Sequence, residues 1–149
     1  MLRPDRVQQQ DDGGGRREFC RPLCNRQEVS MSFKMCSCGK QWNSRDTFLA
    51  DPTIKLVGYQ VDFEDLKEGF FLFNHLLGVC RTTLSVSAGH FIDLYEGPVF
   101  QERLFSTQSC PGHCLRREDL NPCLSKCECA FVRQVLHSVS RWPKQVPSD

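Results

Sequence analysis

The 149-residue chain has almost no excess of charge of either sign: 19 Lys and Arg against 18 Asp and Glu leave a formal net charge of +1. That balance removes the electrostatic case for a nucleic acid or an anionic membrane as partner. There is also no run of about 18 apolar residues, the length a membrane-spanning helix needs. The opening residues, MLRPDRVQQQDDGGGRREF, lack the apolar stretch and small-residue cleavage pattern of a secretory signal. We therefore expect a cytoplasmic, reducing compartment, where clustered thiols bind metal more readily than they pair as disulfides. Walker and Rossmann glycine loops, a helix-turn-helix signature, the paired histidines of HExxH and the CxxCH haem attachment are all missing. No motif names a reaction, and whether the chain is an enzyme stays open.

Cysteine is what the chain has in excess. There are ten: Cys20, Cys24, Cys36, Cys38, Cys80, Cys110, Cys114, Cys123, Cys127 and Cys129. An even number also suits a disulfide framework. A CxC pair bridges poorly to itself, however, so each of its sulfurs would need a distant partner.

Three groups stand out. In KMCSCGKQW, Cys36 and Cys38 can present two thiolates on one turn, and Gly39 lets the chain bend back over them. The motif looks loosely like a zinc knuckle, although its spacing is CxC rather than CxxC. Trp42 is placed to cover such a site and Lys40 to offset thiolate charge; each is equally readable as ordinary core or ordinary surface. Cys110 and Cys114 flank a Pro-Gly-His turn, and Cys123, Cys127 and Cys129 fall at the foot of the last helical stretch. A helix N-terminus favours thiolates. These seven cysteines are the candidate metal ligands, with the knuckle expected to find its partners at 110–114 and 123–129. An eighth ligand, from Cys80, His75 or His113, would complete two tetrahedral sites. That donor set predicts one or two structural zinc ions. An iron–sulfur cluster is the alternative by ligand type, although neither ferredoxin spacing occurs.

The fold class expected is α+β: one small domain of antiparallel strands with two amphipathic helices and cysteine-rich, metal-stapled loops. Residues 1–18 are too polar to order and read as an arm, 19–143 as the domain, and 144–149 as a fraying tail. Ser44 or Asn43 caps a short helical turn that Pro52 stops. Residues 53–63 alternate as a strand with Gly58 at a possible bulge, and FFLFNHLL is a second strand paired to it. Leu84, Ala88, Phe91 and Tyr95 predict a helix after Thr83, and Phe131 to Trp142 predict another.

Two functions fit this pattern. The first is a small metal-binding module with a binding or regulatory role, its protein or small-molecule partner recognised by an aromatic face between Tyr59 and Tyr95, with a homodimer as one form. The second is a thiol-based redox or catalytic protein that uses Cys80, close to His75, or a cysteine pair.

Overall fold

The computed structural model describes residues 31–146. The expected N-terminal arm and the pair Cys20 and Cys24 lie outside the described residues. The core is a three-stranded antiparallel sheet in the order β3 (Ile54–Gln60), β4 (Phe70–His75), β5 (Thr83–Ser87). Ahead of it come the strands β1 (Lys34–Met35) and β2 (Gln41–Trp42), paired as a small hairpin, and helix α1 (Arg45–Ala50). Helix α2 (Ala130–Ser140) closes the domain.

Alternation builds the sheet. In β4, Phe71, Phe73 and His75 point inward and are buried, while Phe70 faces outward and is 43% exposed. Leu56 and Tyr59 of β3 pair with Phe73 and Phe71, yet they are an odd number of residues apart. A bulge between Leu56 and Gly58 absorbs the extra residue and keeps both side chains on the core face. Gly58 is required there: a Cβ would lie 2.7 Å from the Arg117 carbonyl oxygen, which accepts the Tyr59 N–H. The aromatic face between Tyr59 and Tyr95 is thus largely internal. Tyr59, Phe71, Phe73 and Phe91 are buried, and the Tyr59, Phe71 and Phe91 rings contact one another in sequence.

The helix expected from Thr83 is a correction. Residues 83–87 form β5, with Leu84 opposite Phe73 and Val86 opposite Phe71, followed by two 3-10 turns at Ala88–His90 and Ile92–Leu94. Leu84, Val86 and Ala88 are all buried, a period of two that the wider helical spacing had hidden. The two α-helices among the described residues are α1 and α2. Ser44 caps α1 through a capping box with Thr47, and Asp51 ends it before Pro52. Helix α2 buries Val132, Val135, Leu136 and Val139 and packs against β3 and the Ile92–Leu94 turn.

Residues 96–129 hold no α-helix or strand, only a 3-10 turn at His113–Leu115. Lys144 and Gln145, expected to fray, are tied down. The Lys144 ammonium donates to the Leu49 and Ile54 carbonyls at 2.7 Å each, and the Gln145 N–H donates to Ala50. No helix among the described residues is long and apolar enough to cross a membrane.

Candidate metal centre

Two turns build the site. The first is the tip of the β1–β2 hairpin, where the Cys36 N–H donates to the Lys40 carbonyl and the Gly39 N–H to that of Cys36. Gly39 takes φ +95°, a conformation that strains any other residue, and this reversal puts both cysteines on one side. The second is the β4–β5 connection. The inward alternation of β4 delivers His75 beneath the hairpin, and the chain returns five residues later with Cys80. A Ser37–Thr82 hydroxyl contact at 3.0 Å and a bond from the Lys34 ammonium to the Ser85 carbonyl fasten the two turns together.

The result is one compact donor set. The sulfurs of Cys36, Cys38 and Cys80 and a ring nitrogen of His75 all lie within 4.8 Å of one another. Cys36 Sγ is 3.6 Å from Cys80 Sγ and 3.2 Å from His75 Nδ1, and Cys38 Sγ is 3.6 Å from the same nitrogen. A tetrahedral zinc with bonds of about 2.3 Å to sulfur and about 2.05 Å to nitrogen sets its ligand atoms about 3.5–3.8 Å apart. The two separations of 3.6 Å match that spacing, and the Cys36–His75 approach at 3.2 Å is slightly closer.

The sulfurs compete for protons, as crowded thiols do. Burial works against the Cys36 thiolate, but the Cys38 backbone N–H, His75 and Thr82 outweigh it and bring the thiol down to about 6. The Lys40 N–H pulls Cys38 the same way; burial and the Cys36 and Cys80 sulfurs prevail and push it up. A divalent cation removes the conflict by taking the place of the protons.

Trp42 covers the site. It is 3% exposed, lies edge-on to His75 with ring centroids 5.1 Å apart, and donates its indole N–H to Asp51 at 2.8 Å. Burial alone would raise Asp51, yet Thr53, Trp42 and Lys40 hold it below the ordinary carboxylate range. Lys40 is 3.5 Å from Asp51, so its charge is balanced by that carboxylate. His75 Nε2 is buried and has no hydrogen-bond partner among the described residues. With Nδ1 facing the sulfurs, Nε2 is the nitrogen left to carry the proton when a metal binds.

Of the seven cysteines singled out from the sequence, only Cys36 and Cys38 belong to this group. The partners of the knuckle are His75 and Cys80, not the distal cysteines. Cys127 and Cys129 are buried, and Cys110, Cys114 and Cys123 are half-buried, all in the segment leading into α2. His113 is engaged by Asp119 at 2.8 Å and, among the described residues, belongs to no cluster of potential metal donors. His75 and Cys80 entered the sequence reading only as candidates for an eighth ligand or for thiol chemistry. Reading 83–88 with a period of two would have made 75–80 a hairpin turn and brought the pair together.

Compared with protein-family models, curated proteins and solved structures, the chain matches none.

Proposed function

We propose that this chain is a zinc-stapled α+β module with a binding or regulatory role, in which Cys36, Cys38, His75 and Cys80 hold one structural zinc ion. The observation that carries the reading is the mutual approach of these four donors to within 4.8 Å. Three sulfurs and one imidazole are the donors zinc prefers, and four protein ligands leave no open position for a reacting water or substrate. A site of that kind fixes structure. The packing of four donors around one point favours a mononuclear ion over an iron–sulfur cluster, whose cysteines are spread over several irons. The ion would join the β1–β2 hairpin to the β4–β5 turn and hold both for a protein or small-molecule partner, with self-association as one form this takes.

A thiol-redox reading has its own observation: the Cys36 and Cys80 sulfurs are 3.6 Å apart, and Cys36 is the acidic thiol of the group. Metal analysis of protein purified under reducing conditions separates the two. Zinc that protects Cys36, Cys38 and Cys80 from alkylation, and is lost from that site in Cys38→Ser and His75→Ala, supports the staple. A metal-free protein with a reactive Cys36, and a mass decrease on oxidation that traces to a Cys36–Cys80 peptide, supports redox chemistry instead.

A further inference from the structure

The β4–β5 turn does more than carry His75 and Cys80. Between them it exposes Leu76, Leu77 and Val79, at 39%, 48% and 100%. The Leu76 N–H donates to the Thr53 carbonyl and the Cys80 N–H to that of Leu77, so backbone bonds close the turn. Leu76 also lines an apolar groove of about 340 Å³, together with Pro52, Leu56, Leu120 and the two cations Lys55 and Lys144. We propose that this groove and the turn beside it dock a protein partner through a peptide segment rich in both carboxylates and large apolar side chains. The inference rests on the zinc-staple reading in one respect, that the ion would hold both ends of the turn; the groove is built from other residues.

Charge decides the chemistry of the occupant. Residues 52–61, 70–92 and 130–146 supply the turn and all of the groove but Leu49 and Leu120, and they contain no Asp or Glu. The carboxylates close to those two leucines in sequence are already engaged, Asp51 by Trp42 and Thr53 and Asp119 by His113 and Arg133. Lys55, Arg81 and Lys144 form no ion pair among the described residues. Lys144 uses two of its three N–H groups on the Leu49 and Ile54 carbonyls, which leaves one for an incoming carboxylate. The apolar surface is therefore bordered by charge of one sign, and its complement is an acidic partner.

Single exposed apolar side chains are ordinary, but three within four residues, beside an apolar groove, make a patch of the kind that binds protein. Neither Leu77 nor Val79 lines the groove, so a small molecule filling it would leave both in water. An anionic bilayer recruits denser basic clusters, about four to eight Lys or Arg, than the three cations at this surface. A peptide segment covers the groove and the turn at once. A turn already closed by its own hydrogen bonds has little ordering left to lose when the partner binds.

The test is fluorescence anisotropy on the full chain, purified under reducing conditions with zinc supplied. The probes are a labelled peptide of about 12 residues built from Leu and Glu, and its counterpart built from Leu and Lys. Only the Glu peptide should bind, and more weakly as salt rises. Lys55→Glu and Val79→Asp should each weaken it about tenfold, while Lys126→Glu, an exposed cation that lines no part of the groove, should leave it unchanged. Equal binding of the two peptides, binding of neither, or indifference to both Lys55→Glu and Val79→Asp overturns the inference. So does binding to phosphatidylserine vesicles in place of the peptide. If a variant does not fold, the unmutated protein still decides: the Leu76, Leu77 and Val79 methyl resonances should shift on adding the Glu peptide, and their constancy overturns the inference. Zinc counted in the same samples separates the two readings. A zinc-bearing chain that ignores the Glu peptide overturns this inference alone, and a peptide-binding chain without zinc overturns only the staple.

Discussion

Two residues outside the ligand set show how closely the site and the fold depend on single positions. Gly39 holds φ +95° at the hairpin tip, with nothing within 4 Å of where a Cβ would stand. Gly39→Ala therefore meets only backbone strain, roughly 1–2 kcal/mol. If that strain falls on the metal-bound form, zinc affinity drops by about five- to thirtyfold in a competition titration with a chromophoric chelator. Asp119 is the other. Its carboxylate takes bonds from His113, Arg116 and Asn121, and Arg133 reaches it at 3.3 Å with no exposed surface of its own. Burial alone would raise its pKa, but His113, the Asn121 N–H and Arg116 prevail and hold it well below the ordinary range. A carboxylate lowered in this way stabilises the fold fully above its unfolded value of about 3.9, and the contribution is lost as pH falls through the folded value. Asp119→Asn should cost about 3 kcal/mol near neutral pH, because it strips a buried guanidinium of its counter-charge. Urea midpoints measured from pH 7 to pH 3 should fall less steeply for the variant than for the parent.

At the scale of elements, the chain shows which signals survive a reading by sequence alone. Strand β3 and its bulge, strand β4, the capped turn α1 and the stripe of α2 follow from alternation, a serine cap and helical spacing, all local cues. Strand β5 does not. Leu84, Ala88 and Phe91 satisfy a helical stripe and Leu84, Val86 and Ala88 a strand. What decides between them is the free edge of β4, a tertiary feature with no local signature. The site failed to read for the same reason. Cys36 and Cys38 announce themselves by spacing, but His75 and Cys80 come within reach of them only once β4 and β5 form a hairpin. The inward row of β4 that carries His75 also carries Phe73, fully packed against Phe48 and Leu56. Phe73→Ala should cost about 3–5 kcal/mol in urea denaturation of the metal-loaded protein, with metal stoichiometry retained in what remains folded. A cost below about 1 kcal/mol would mean that the aromatic layer is not the core.

For the molecule as a whole, the proposed ion links segments that the sheet does not pair with each other. The domain has its own apolar core of Phe48, Tyr59, Phe71, Phe73, Phe91 and the inner face of α2, so the sheet does not need the metal to exist. Removing the metal should therefore loosen the structure locally rather than unfold it. Amide hydrogen exchange after chelation should lose protection at residues 34–42 and 75–82, while Leu56, Phe71 and Val135 stay protected. Uniform loss would instead mean that folding and metal binding are one event, as in the smallest zinc domains.

The most direct measurement of the central claim is the nitrogen spectrum of the His75 imidazole, recorded by long-range proton–nitrogen NMR before and after zinc is added to the chelated protein. Zinc on Nδ1 shifts that nitrogen and fixes the proton on Nε2, with the Cys36, Cys38 and Cys80 β-carbon resonances moving to thiolate positions at the same stoichiometry. A His75 ring whose two nitrogens are unmoved by zinc would contradict the four-donor centre, whatever metal the rest of the chain retains.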